Sequence, residues 1–223
     1  LIFAVLLGCF LEFAVIRRAK EPNIIGLIII TIGLEMVLLG FVSWKFGADQ
    51  RSMPFPISPY GSVEIGDVFI STLDLLTLVV ALVLMLTLFL FFRFSKLGVA
   101  MKATQQNEDA ARLMGIKTNR IRMMSWGISS LVGTVAGLLI APVIMEPYMM
   151  WDPMLKGFAG AVVGGMTSLP GAVFGAYIVG IVEHLFAGYV SMEFKSVVAF
   201  AVIVLVLCIK PSGLFARHYV KKV

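Results

Sequence analysis

Four ionisable side chains lie inside long apolar runs, where a charge is costly and usually faces protein or water. They are Glu12, Glu35, Glu183 and the neighbouring His184. Thr31 precedes Glu35 by one helical turn on the same face, so these two residues are candidates for lining a polar passage. For Glu183 we expect a structural hydrogen bond to a neighbouring break in the chain, and we assign His184 no chemistry.

The sequence lacks the residue patterns that support common catalytic chemistry. It contains no Walker A loop, no Gly-x-Ser-x-Gly, no His-Glu-x-x-His and no pair of carboxylates with supporting groups. Cys9 and Cys208 both lie in apolar runs and are typical of small buried side chains, not of a metal or disulfide framework. We therefore expect a protein that is not an enzyme and that binds no cofactor and no metal.

A break interrupts the apolar run that leads to Tyr189. Residues 166–171 read MTSLPG, and a proline disfavours helix both at its own position and at the one before it. The pattern predicts a short helix over Leu155–Met166, a turn, and a longer helix over Ala172–Tyr189. Twelve residues of helix extend only ~18 Å, which favours a re-entrant segment over a full span of the ~30 Å hydrocarbon core.

Irregular backbone at membrane depth is tolerated where it is buried in protein or lines water, and broken helices bind polar solutes in other transporters. We therefore expect free carbonyls and hydroxyls near the break to face a polar solute. The predicted pathway residues are Thr31, Glu35, Gly164, Gly165, Thr167 and Ser168. An alternative is that the glycines serve close packing alone, because Gly-x-x-x-Gly pairs let helices approach backbone to backbone. Such pairs begin at Gly133, Gly160 and Gly171.

The largest polar interruption is a basic island, KLGVAMKATQQNEDAARLMGI, at Lys96–Ile116. Asn107 is a good N-cap with acidic residues in the turn that follows, and Gly115 is placed to end a helix. The pattern predicts two short helices, near Leu97–Gln105 and Asn107–Met114. Their apolar residues are mostly small, so the island is either a docking surface for another protein or a solvated loop.

The chain as a whole is typical of a multi-pass helical membrane protein. It has 223 residues, 60% of them hydrophobic, and a mean hydropathy of +0.99. We predict an all-α transmembrane bundle forming one domain over 1–223, and we expect the natural N-terminus to lie before Leu1. Besides the broken segment near 155–171, the predicted spans are Leu1–Ile16, Ile24–Phe46, Val68–Phe92, Met123–Met145 and Phe194–Ile209.

The positions of the lysine and arginine residues predict the orientation. Fourteen of the 18 lie in three groups, at 17–20, 93–122 and 210–222. If all three groups are cytoplasmic, successive spans cross the membrane in alternating directions only when the broken segment enters the membrane from outside and returns to the outside. Residues 93–122 and the C-terminus are then cytoplasmic, and loops 47–67 and 146–156 lie outside. Because the basic residues lie at membrane boundaries and not among aromatic residues, we expect no binding of nucleic acid.

The island resembles the cytoplasmic coupling loop of bacterial branched-chain amino acid ABC permeases. Its Gly-x-Ala-Met-x-Ala and Asn-Glu-x-Ala-Ala-x-Leu-x-Gly-Ile elements carry the likeness, and the run at 158–183 and the ending KPSGLF at 210–215 agree with it. The likeness covers nearly the whole chain and is greatest to the LivH-type subunit. The residues that it assigns to ATPase coupling are Gly98, Ala100, Met101, Ala103, Asn107, Glu108, Ala110, Ala111, Leu113 and Gly115.

The resemblance implies an ATP-driven importer in a prokaryotic inner membrane. The expected partners are a cytoplasmic ABC ATPase, a second permease subunit (LivM-type or another copy of this chain), a periplasmic binding protein and membrane lipid. The expected cargo is a branched-chain amino acid. Urea, short amides or other amino acids are alternatives within the family, and an ATPase-independent secondary transporter or channel is an alternative of another class.

Overall fold

The computed structural model describes residues 1–19, 24–51, 61–65, 68–166, 168–210 and 213–215. These residues fold almost entirely into helices, joined by one short β-hairpin, which confirms the predicted all-α class. The chain forms two compact units, Leu1–Met149 and Met150–Val223. The helices of the first unit are α1 (Ile2–Ala14), α2 (Ile24–Phe46), α3 (Thr72–Phe94), α4 (Lys96–Gln106), α5 (Glu108–Leu113) and α6 (Thr118–Ile140). Those of the second are α7 (Trp151–Gly164), α8 (Leu169–Tyr189) and α9 (Lys195–Ile209).

The third predicted span begins later than the sequence indicated. Strand β2 (Val68–Ser71) pairs antiparallel with β1 (Ser62–Ile65), so the prediction of helix from Val68 was wrong. Helix α3 begins only at Thr72, where the Ser71 hydroxyl accepts a hydrogen bond from the Leu73 N–H at 3.3 Å. The apolar residues of the strand continue into the helix without a change of composition, which is why hydropathy alone merged them.

The two short helices of the island are confirmed, and both begin at a side-chain cap. Ser95 Oγ accepts from Gly98 N–H at 2.9 Å at the start of α4, and Asn107 Oδ1 accepts from Ala110 N–H at 3.0 Å at the start of α5. Gly115 terminates helix α5 and has a φ of +82°. The Gly115 N–H donates to the Arg112 carbonyl, and the Ile116 N–H donates to the Ala111 carbonyl. These two bonds form a Schellman motif, which satisfies carbonyls that the helix end would leave free.

Helix α6 begins five residues before the predicted start at Met123 and packs along α1. The crossing is close because it is lined by glycine. A Cβ at Gly8 would lie 2.7 Å from the Trp126 carbonyl oxygen, and one at Gly127 would lie 3.0 Å from Cys9 Sγ. By contrast, a Cβ at Gly133 would meet no described atom within 4 Å. A Cβ at Gly137 would lie at an ordinary contact distance, 3.8 Å, from Met149 Cε, so among the described residues the Gly133–Gly137 pair makes no contact as close as its spacing predicted.

The predicted break is confirmed in the second unit. Helix α7 ends at Gly164, Gly165 takes a φ of +100° that favours glycine, and α8 begins at Leu169. Both helices begin earlier than predicted, so residues 151–156, expected in an outer loop, form the first turns of α7. The 14 residues of α7 extend about 21 Å, which agrees with the predicted short segment.

Helices α7 and α8 cross through their Gly-x-x-x-Gly pairs, as the spacing predicted. A Cβ at Gly171 would lie 2.6 Å from the Gly164 carbonyl oxygen, and one at Gly175 would lie 2.5 Å from the Gly164 nitrogen. Val163 and Val179 are fully buried beside this crossing, with Ala199 and Val206 of α9 completing the core.

Four helices of the described residues are long and apolar enough to cross a membrane: α2, α3, α6 and α8. None of the most apolar 18 residues of α2 or α3 is buried within the chain. Both helices expose large side chains such as Ile29, Met36, Val83 and Leu86. Apolar surface of this extent requires lipid or another protein against it.

Candidate functional site

The island folds with one face against the spans and the other exposed. Gly98, Met101 and Ala111 are buried, and a Cβ at Gly98 would lie 2.5 Å from the carbonyl oxygen of Phe91 in α3. Ala100, Ala103 and Glu108 are partly buried. The predicted coupling residues with exposed positions are Asn107, Ala110, Leu113 and Gly115.

The end of α5 projects two large apolar side chains. Leu113 is 89% exposed and Met114 is 83% exposed, and Gly115 turns the chain immediately afterwards. Met114 was not among the predicted coupling residues. The signal that could have identified it is a pair of adjacent apolar residues directly before a helix-ending glycine.

Glu108 is the centre of an ion-pair network at the start of α5. Its Oε1 lies 2.6 Å from Arg112 Nη2 and 3.9 Å from Arg122 Nη1, and Arg112 Nε donates to Thr118 Oγ1 at 3.0 Å. Partial burial alone would raise the pKa of Glu108. The hydrogen bonds from Arg112 and Thr118 and the charges of Arg122 and Arg112 outweigh it, so the pKa is lowered.

The intramembrane Glu12 lies next to this network. Its side chain is fully buried, and Arg122 Nε lies 3.6 Å from its Oε1. The sequence identified Glu12 as a candidate, but it gave no indication of Arg122 as its partner. The contact connects α1 to the first turns of α6, next to α5.

Thr31 and Glu35 lie one turn apart on α2, as predicted. Thr31 Oγ1 donates to the Ile28 carbonyl of its own helix at 2.9 Å, and the Glu35 side chain is half-buried. The described part of the chain gives Glu35 no ion-pair partner.

The break after α7 is closed by the chain's own C-terminal segment. The N–H groups of Leu214 and Phe215 donate to the carbonyls of Val163 at 2.8 Å and Gly164 at 3.1 Å. Gly213, at φ +87°, lies against Gly165, where a Cβ would be 2.5 Å from the Gly165 Cα. The expectation of free carbonyls at the break is therefore wrong for Gly164, because the N–H of Phe215, which is distant in sequence, donates to its carbonyl.

The remaining predicted residues of the break differ in environment. Gly164 and Gly165 are buried, and Ser168 is half-buried. The Ser168 hydroxyl accepts from Gly171 N–H at 3.2 Å, so it caps α8. Thr167 lies outside the described residues.

Glu183 forms ion pairs with two lysines, and among the described residues it makes no hydrogen bond to the break of the kind predicted. Its carboxylate is almost fully buried, 2.7 Å from Lys156 Nζ on α7 and 3.7 Å from Lys195 Nζ at the start of α9. Lys156 also pairs with Asp152 at 2.6 Å. The prediction failed because charge pairing between helices has no signature in local spacing. The neighbouring His184 Nδ1 contacts the carbonyl of Gly180 in its own helix.

The sequence matches one family model and several curated relatives. The model of the branched-chain amino acid transport system permease component covers residues 1–207. The chain is 32% identical to the high-affinity branched-chain amino acid transport system permease protein LivH of Salmonella typhimurium, over 100% of this chain and 74% of that protein. It is 32% identical to LivH of Escherichia coli K12, over 97% and 72%, and 29% identical to BraD of Pseudomonas aeruginosa, over 97% and 72%. No solved structure gives a significant match.

The match extends across the island, the glycine crossing and the break. Together with four helices of membrane-spanning length and composition, it identifies a multi-pass membrane protein. The chain therefore belongs to the family of permease components of branched-chain amino acid transport systems.

Proposed function

We propose that this chain is a membrane-spanning subunit of an ATP-driven importer and that α4 and α5 dock on a cytoplasmic ATPase. The observation that carries the proposal is the exposed apolar tip at Leu113 and Met114. It projects from two helices whose opposite face is fixed to the spans through Gly98, Met101 and Ala111. A rigid pair of helices with an apolar tip can transmit movement from a bound partner to the segments behind it.

The arrangement of the first unit supports placing the island in the cytoplasm. Arg17, Arg112, Lys117 and Arg120 line one open cleft of about 700 Å³, so basic residues from separate parts of the chain lie at one end of the α1–α6 pair. The segments that follow α2 and α6 meet away from it, where Arg51 N–H donates to the Met145 carbonyl at 3.0 Å. Clustered lysine and arginine favour the cytoplasmic side, so we assign residues 93–122 to it. The separate basic group at 210–222 favours the same side for the C-terminus.

The proposed cargo is a branched-chain amino acid, because the relatives named above are branched-chain amino acid permeases. The proposed pathway residues remain Thr31, Glu35, Gly164, Gly165, Thr167 and Ser168. Of these, Thr31, Glu35 and Ser168 have polar side chains at half-buried positions of the described chain. Such positions suit the charged ends of an amino acid, while abundant Leu, Val and Met suit its side chain.

A complete importer requires partners beyond this chain. We propose two ATPase subunits, a second permease subunit that is either LivM-type or a copy of this chain, and a periplasmic binding protein. The binding protein would meet loop 47–67, loop 146–150 and the first turns of α7. The unburied faces of α2 and α3 are consistent with contact to lipid or to the second permease. Residues 1–223 would then act as one transmembrane permease domain in the inner membrane.

The test is reconstitution of this chain into proteoliposomes with its candidate ATPase, second permease and binding protein. We expect uptake of labelled leucine, isoleucine or valine only when ATP and every partner are present, with urea and other amino acids as competitors. Leucine uptake by the chain without an ATPase would contradict the proposal and indicate a secondary transporter. Uptake of urea or a short amide without uptake of these three amino acids would agree with the ATP-driven mechanism and reject the proposed cargo.

A further inference from the structure

One guanidinium lies between two carboxylates on different helices. Arg122, in the first turns of α6, has Nη1 at 3.9 Å from Glu108 of α5 and Nε at 3.6 Å from Glu12 of α1. Among the described residues, the one hydrogen-bond partner of its guanidinium is Asn119, whose Oδ1 accepts from Nη2 at 2.7 Å. Both carboxylates are within ion-pair range, but neither is at hydrogen-bond distance.

Of the two carboxylates, Glu12 would be stabilised more by a closer contact with Arg122. Its side chain is fully buried, and among the described residues neither carboxylate oxygen has a hydrogen-bond partner; the same holds for Arg122 Nε. A buried charge without hydrogen bonds is unfavourable. A shift of roughly 0.7 Å by Arg122 toward Glu12 would reach the ~2.9 Å of a charge-assisted hydrogen bond.

Glu108 does not depend on Arg122 in the same way. Arg112 already holds it at 2.6 Å, and its side chain is 37% exposed to solvent. Arg122 can therefore leave Glu108 without leaving a buried, uncompensated charge behind. The Arg122 guanidinium thus has two available positions. In one it lies between Glu108 of α5 and Glu12 of α1, and in the other it pairs with Glu12 alone.

We propose that Arg122 is the positioning residue that transmits movement of α5 to the α1–α6 pair. While α5 is seated, Arg122 is shared between Glu108 and Glu12. When a partner draws α5 away, Arg122 closes on Glu12 and draws α1 toward the start of α6. Because α1 and α6 are packed through Gly8 and Gly127, a shift at Glu12 moves α1 as a unit and not one side chain alone.

The inference rests on the proposed ATPase docking, and its test separates coupling from folding. Arg122→Gln alone would leave Glu12 buried without a counter-charge, which destabilises strongly. The informative variant is Glu12→Gln with Arg122→Gln, which removes both charges. The matched control is Arg120→Gln, which removes the same charge from an exposed position two residues away.

The measurement is ATP hydrolysed per leucine transported by the reconstituted complex. We expect the double variant to restore the membrane level lost in Arg122→Gln and to hydrolyse ATP, while its ATP-to-leucine ratio rises about tenfold, a typical size for coupling between sites. Arg120→Gln should keep the wild-type ratio.

Two results would overturn the inference. A wild-type ratio in the double variant would show that the contact is not used in coupling. A double variant that stays at the low membrane level of Arg122→Gln would show that the residues serve folding. Failure of the wild-type complex to couple ATP to leucine uptake would instead reject the proposed function.

Discussion

At the scale of single residues, glycine decides how closely the helices of the second unit approach. The Gly164 backbone lies against Gly171 and Gly175 so closely that a Cβ at any of the three would overlap backbone atoms. Backbone cannot move aside as a flexible side chain can, so a larger residue at the crossing must push the two helices apart. By contrast, Gly180 lies on α8 with Gly171 and Gly175, but a Cβ there would have no described atom within 4 Å.

This contrast gives a stability prediction. Gly175→Ala should destabilise the purified protein by about 1–3 kcal/mol, since overpacking displaces backbone. Gly180→Ala should leave stability unchanged or raise it by up to ~1 kcal/mol through helix propensity. Thermal unfolding in detergent measures both. Equal unfolding temperatures for the two variants would contradict the close crossing.

A second prediction at this scale concerns pH. The pKa of Glu108 in the folded island is lower than the ordinary glutamate value of 4.5, which applies to the unfolded chain. The ion pairs of Glu108 therefore stabilise the folded island at pH values above the unfolded pKa, and this contribution is lost as the pH falls through the lower folded pKa. Wild type should therefore unfold at a higher temperature than Glu108→Gln at neutral pH, and the two should converge in acid. The difference should be small, because the side chain is partly exposed. A difference that persists below the folded pKa would contradict the assignment.

At the scale of elements, α5 has an inner and an outer face that the sequence did not distinguish. Ala111 is 4% exposed and faces the chain, whereas Leu113 is 89% exposed. A bulky residue at position 111 would disturb folding of the island and would not report on docking. Position 113 is the place to test the partner contact.

We therefore predict that Leu113→Ser weakens co-purification of the ATPase while leaving the permease folded. Loss of one large apolar contact at a small interface typically weakens binding by about tenfold or more. Tyr189→Ser is the matched control, because Tyr189 is 88% exposed. It lies at the end of α8, which would be outside the cell if the broken segment enters the membrane from outside and returns. Unchanged ATPase binding in Leu113→Ser, or equal loss in the control, would argue against docking through α5.

At the scale of the whole molecule, the orientation of the chain rests on charge placement. In a background with Cys9 and Cys208 replaced by alanine, a cysteine at Lys102 should react with an impermeant thiol reagent only from the cytoplasmic side. A cysteine at Asp152 should react only from outside. Labelling of intact cells and of inverted vesicles measures the two. Labelling of both positions from the same side would reject the topology.

The local features of the fold were predictable because their determinants are neighbours in sequence. The caps at Asn107 and Gly115 and the interruption at Pro170 follow from what a few adjacent residues can do. The start of α3 was predicted too early because the apolar composition of Val68–Ser71 suits a strand as well as a membrane span. Only the hairpin partner, Ser62–Ile65, selects the strand.

The sequence by itself determined that this is a membrane protein with two short helices between spans and a broken helix beyond them. Run lengths, caps and a proline act within a few residues. Tertiary structure alone decided that Leu214 and Phe215 satisfy the carbonyls at the break, that Glu183 pairs with Lys156 and Lys195, and that Arg122 lies between Glu12 and Glu108. A buried carbonyl or carboxylate requires some partner. Which one it finds depends on how the helices pack, and no local pattern records that.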